Sequence, residues 1–164
     1  MKTKTIFIFL TLLFIACSFS ASGQSANFSG NWALNREKTV LADNQIFPSK
    51  VSIKLKSDSL LTTRVYENMN GEEYPFEENL SLDGKECKII IYNMPRTTKA
   101  SRSNTDGSLI IESTTTFNGN NGEENIITKE TWKVDNEGKT LTIEFTNKIS
   151  GNESAGTNYY NKLK

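Results

Sequence analysis

Histidine is absent from all 164 residues, and cysteine occurs only twice, at Cys17 and Cys87. Without an imidazole the chain cannot assemble a Ser-His-Asp or Cys-His pair, and with one remaining thiol a zinc site is equally out of reach. Cys17 falls in an N-terminal leader, so Cys87 stands alone and no intrachain disulfide can form. Cys87 alternates with Ile89 and Ile91, which is the pattern of a small buried apolar residue rather than a nucleophile. An excess of positive charge is missing too, since 19 Lys and Arg are matched by 19 Asp and Glu. No basic field is available to hold a polyanion, so nucleic acid is not an expected partner. No pair of carboxylates, and no base beside a nucleophile, stands at a diagnostic spacing; the expectation is a protein that is not an enzyme and uses no metal or cofactor.

A long apolar run is confined to the start. Met1-Lys2-Thr3-Lys4 is a basic segment, Ile6 to Ala16 is apolar, and Ala21-Ser22-Gly23 is a run of small residues suited to cleavage before Gln24. The run is shorter than the roughly 18 residues of a membrane span. Residues 1–23 therefore read as a signal peptide, and the expectation is an extracytoplasmic protein, periplasmic or secreted. A second reading stays open: Leu13-Phe14-Ile15-Ala16 before Cys17 resembles a bacterial lipobox, with Cys17 as a lipidated residue anchored at the outer membrane. Removing Lys2 and Lys4 with the leader leaves 17 basic against 19 acidic residues, a net charge of −2.

Residues 24–164 suit one domain with its own core, with no linker or composition shift inside them. Turn signals recur along them: Asn68-Met69-Asn70-Gly71, Leu82-Asp83-Gly84-Lys85, Asn104-Thr105-Asp106-Gly107, Asn118 to Gly122, Asp135-Asn136-Glu137-Gly138 and Ser150-Gly151-Asn152. Between the turns the period is two. Val51, Ile53 and Leu55 alternate with Ser52, Lys54 and Lys56, and Leu141, Ile143 and Phe145 alternate with Thr142, Glu144 and Thr146. Lys88 to Tyr92 and Leu109 to Ile111 are apolar on consecutive residues, as in strands with both faces covered. The spacing predicts eight to ten antiparallel strands, near 27–35, 49–57, 59–67, 73–81, 86–93, 97–104, 108–117, 124–134, 139–149 and 156–163, with one short helix over Arg36 to Ala42. Consecutive hairpins without a long crossover favour an all-β, up-and-down barrel, because closure removes exposed edges.

Phe28-Ser29-Gly30-Asn31-Trp32, followed by Leu34, Asn35 and Lys38, resembles the Gly-x-Trp opening of the calycins, the superfamily of lipocalins and fatty-acid-binding proteins. Leu82-Asp83-Gly84-Lys85, Glu130-Thr131-Trp132, Glu137 to Thr142 and Tyr159-Tyr160-Asn161-Lys162 extend the likeness to exported lipocalin-like proteins of bacteria. The resemblance implies that Gly30, Trp32 and Lys162 close one end of the barrel, with Lys162 packed over the indole where arginine is usual in lipocalins. It also implies a small hydrophobic or amphipathic ligand.

Candidate ligand contacts are polar or large residues in apolar strand registers: Arg64 and Tyr66 with Leu60 and Thr62, Tyr92 with Ile90, and Glu130 with Ile126, Thr128 and Trp132. An arginine and a tyrosine that converge on a carboxylate would anchor a fatty or retinoid-type acid, because the guanidinium offers a planar fork. Arg96 and Arg102 lie in a polar stretch and read as outward-facing. Three functions remain open: a monomeric binding module, an envelope protein with a filled barrel that binds a protein or glycan through loops such as Asn118 to Gly122, and, weakest, an enzyme that pairs a Glu with a Tyr or Arg. Only the possible anchor at Cys17 would bring the protein to a membrane.

Overall fold

A computed structural model describes residues 27–39, 47–68, 70–119 and 122–164. The leader, Cys17 and residues 40–42 of the expected helix lie outside the described residues, as do two residues of the 118–122 loop. Residues 36–38 form a turn, pinned by the Asn35 side chain, whose Oδ1 accepts from the amides of Glu37 and Lys38.

Ten strands follow in chain order: β1 (Gly30–Leu34), β2 (Pro48–Leu55), β3 (Ser59–Glu67), β4 (Glu73–Ser81), β5 (Cys87–Ile91), β6 (Met94–Arg102), β7 (Leu109–Gly119), β8 (Gly122–Val134), β9 (Thr140–Ile149) and β10 (Asn152–Lys162). They form one antiparallel sheet in the order β4-β3-β2-β1-β10-β9-β8-β7-β6-β5, which curls into a nearly closed up-and-down barrel. β1 pairs with both β2 and β10, with Trp32 opposite Val51 on one side and Lys162 on the other. The first and last strands are thus interior members of the sheet, and the break in the ring lies between β4 and β5.

Alternation sorts the side chains. Toward the start of β1, here called the base, the inward residues are mostly apolar. Leu60, Leu80, Ala100, Leu109, Ile111, Trp132, Leu141 and Ile143 bury there with Phe28, Trp32, Val51, Ile53 and Tyr160 in one core. The hairpins joining β3 to β4, β5 to β6, β7 to β8 and β9 to β10 turn at the opposite end, the rim.

Two strand assignments change. β6 begins at Met94 rather than 97, because the β5–β6 hairpin turns on Tyr92 and Asn93, both with positive φ. Tyr92 and Ile90 are therefore corrected: Ile90 faces outward at 75 % exposure, and Tyr92 is an exposed turn residue rather than a lining one. β10 begins four residues earlier than the spacing predicts, at Asn152.

Candidate functional site

Charge enters the barrel just rimward of the apolar core. Arg64 on β3 and Glu78 on β4 are 2 % and 1 % exposed, and the side chains of Arg96 on β6 and Glu130 on β8 are partly exposed, at 11 % and 12 %. Arg64 Nη1 and Nη2 donate to the two carboxylate oxygens of Glu130 at 2.7 and 2.9 Å. β3 and β8 lie five places apart in either direction around the ten-strand order, so this bidentate pair spans the bore from opposite walls. Trp132 Nε1 donates to Glu130 Oε2 at 3.0 Å, and the Trp132 ring lies 5.0 Å from the guanidinium carbon of Arg64. The pair is therefore fixed at both ends by the same tryptophan.

Glu78 carries the other half of the cluster. Its Oε1 accepts from Arg96 Nε at 3.0 Å and from the Thr98 hydroxyl at 2.6 Å, and its Oε2 lies 3.9 Å from Arg64 Nη2. Arg96 also donates to the Thr115 hydroxyl at 3.1 Å. Phe76 sits among these groups, its ring centroid 5.8 Å from Arg64, 5.7 Å from Arg96 and 5.8 Å from the nearly parallel ring of Tyr66. Two guanidiniums and two carboxylates thus form a neutral layer across the lumen. Buried charges persist only when paired and hydrogen-bonded in this way, and a buried network of this kind is weak evidence of a stabilising role.

The protonation states follow from the arrangement. Burial works against the Arg64 guanidinium, but Glu130 and Glu78 outweigh it and hold the group cationic. Burial pushes Glu78 up, while Arg64, Arg96 and the Thr98 hydroxyl pull it further down, so it ends below the ordinary carboxylate range. Burial raises the Tyr66 and Tyr160 phenols despite the pull of Arg64, and both remain neutral. Tyr160 uses its hydroxyl to hold Pro48 O at 3.2 Å, fixing the start of β2 at the rim.

Rimward of this layer the interior opens. Along β7 the inward residues Leu109, Ile111, Ser113 and Thr115 are 0, 1, 5 and 8 % exposed, and along β9 Leu141, Ile143 and Phe145 are 0, 3 and 9 %. Phe117 and Asn147, next in each series, are half-exposed. The Phe145 ring occupies the space a side chain at Gly156 would take, since a Cβ there would stand 2.7 Å from its Cζ, and Phe47 packs against it with centroids 6.1 Å apart. Above the charged layer the inward positions are aromatics and hydroxyls that grow more exposed toward the rim, and this end is here called the cup, with the charged layer as its floor.

Of the residues singled out in the sequence, Arg64, Tyr66, Glu130 and Trp132 converge in or beside the floor. Tyr92 stands apart, outside the seam, where its hydroxyl donates to Pro75 O at 3.0 Å. Gly30, Trp32 and Lys162 meet at the base, with Lys162 Nζ 5.1 Å from the indole. Arg96, read as outward, faces inward because it shares the register of Thr98 and Ala100. Glu78 was overlooked, although it alternates with Phe76 and Leu80 as Glu130 does with Thr128 and Trp132. No family model matches the chain, and no curated protein matches its sequence.

Proposed function

We propose that this barrel is a lipocalin-like binding protein that takes a small hydrophobic or amphipathic molecule into the rimward cup. The observation that carries the reading is the exposure gradient: the interior is dry and apolar at the base, charged at mid-height and increasingly open toward the rim. Concave sites lined by aromatics with a few convergent polar groups are where small molecules bind. The basic and apolar leader followed by small residues supports export of the protein.

A second reading, a filled barrel acting through its loops, is favoured by one feature. Both terminal nitrogens of Arg64 are already engaged by Glu130, so the guanidinium that would anchor a ligand carboxylate is occupied.

Native mass spectrometry of the protein isolated from its producing cells separates the two. A reproducible small-molecule adduct is expected. It should be lost in Thr128→Phe, which fills the cup from a half-buried inward position on β8, rimward of Glu130. A bare protein mass in every preparation favours the filled barrel.

A further inference from the structure

The charge balance of the cup floor restricts the ligand, given the carrier reading above. Arg64 and Arg96 are matched by Glu78 and Glu130, and each charge has its counter-charge within the cluster. Within the cluster, the donor Arg64 Nε and the acceptor Glu78 Oε2 are buried without a hydrogen-bond partner among the described residues, as are the Thr62 hydroxyl on β3 and Asn158 Oδ1 on β10. Between the floor and the rim, the inward positions Thr115, Phe117, Ile126, Thr128, Phe145 and Asn147 carry no charge. The next ionisable group along the inward register of β8 is Glu124, an acid at the rim.

A ligand carboxylate entering this cup would meet no free cation. To take the two terminal nitrogens of Arg64 it would have to displace Glu130, leaving that carboxylate buried without its partner, a costly change in a protein interior. A ligand ammonium faces the same difficulty with Arg64 and Arg96 already in place. Hydroxyls and an amide line the approach, with Thr128 donating to Asn147 Oδ1 at 2.9 Å, and they can exchange bonds with a group that both donates and accepts.

We infer that the bound molecule presents an uncharged polar end, a hydroxyl or a carboxamide, to the Arg64–Glu130 floor, with its apolar part against the aromatic wall. This contrasts with the fatty or retinoid-type acid that an arginine in the barrel otherwise suggests.

The test uses one ten-carbon tail with four heads, namely 1-decanol, decanamide, decanoate and decylammonium, titrated calorimetrically into the intact protein at neutral pH. The alcohol and the amide are expected to bind at least about tenfold more tightly than either ion, or about 1.4 kcal/mol. Glu130→Gln keeps the shape and an acceptor for Trp132 but leaves one positive charge in excess. In that variant decanoate should gain about tenfold while decylammonium does not. Decanoate binding to the unaltered protein as tightly as decanol overturns the inference and leaves the carrier reading standing. Failure of all four to bind overturns both.

Discussion

Gly30 has φ of +143°, a backbone conformation that side chains rarely adopt, and a Cβ there would stand 2.7 Å from Lys162 Cε. The glycine thus lets the lysine stem cross β1 and bring its ammonium over the Trp32 ring, while Trp32 Nε1 donates to Phe28 O at 3.0 Å. Gly30→Val should lower stability by about 1–3 kcal/mol through backbone strain and the displaced cation. Trp32→Ala should cost about 3–5 kcal/mol through the cavity it leaves. Urea midpoints measure both, and a loss below about 1 kcal/mol for Trp32→Ala would remove the indole from its role as the barrel's plug. This trio was legible only through the resemblance to the Gly-x-Trp opening and the basic last-strand residue of lipocalins; the residues alone did not mark it. Glu78 was harder to see, since a glutamate in an alternating strand ordinarily points to water, and the groups that give it a reason to turn inward, Arg64 on β3 and Arg96 and Thr98 on β6, all lie on other strands.

β5 is the weakest element. It pairs only with β6, and β4 only with β3, so neither offers the other a ladder. The gap is bridged by side chains instead: Glu78 reaches past β5 to Arg96 and Thr98, Tyr92 donates to Pro75 O, and the Tyr74 and Tyr92 rings meet edge-on at 6.2 Å. Near the base Gly84 N donates to Ala100 O at 3.0 Å, joining the β4–β5 turn directly to β6. Amides of β5 that point toward β4 should exchange with deuterium well before those of β8 and β9, and Tyr92→Phe should speed them further without affecting the distant strands. Equal protection of β5 and β9 would mean that the seam is paired in solution. The limits of β3 and β4, joined across Gly71, match their predicted spans residue for residue, whereas at Gly151 the turn was marked but the start of β10 was placed four residues late. The β5–β6 hairpin was not legible, because Tyr92 and Asn93 make its turn without a glycine and Pro95, which looks like a break, sits in the ladder opposite Ile90.

For the molecule as a whole, the charged layer ties opposite walls together, and its integrity depends on pH. Glu78 titrates below its ordinary value near 4.5, with Arg64 and Arg96 as the charges that face it. Its contribution to stability is therefore fully present above that value and is lost as pH falls through the lower folded one. Glu78→Gln should be less stable at neutral pH, by up to about 3–5 kcal/mol for a broken buried pair, yet lose less on acidification than the unaltered protein. Urea midpoints followed from neutrality into the acid range give both slopes, and parallel curves would exclude Glu78 as an acid-sensitive tie. The barrel as a class was visible in the period of two and the run of hairpins; the place of its seam was not, because local alternation does not say which edges meet. The pairing of β1 with β10 has a consequence in time. Trp32 and Lys162 are brought together across nearly the whole described chain, so the core indole stays unroofed in any partly folded chain whose last strand has not yet docked. This closure joins strands far apart in sequence, the slow kind of contact to form, and until it is made β1 and β10 both present open edges to wrong partners.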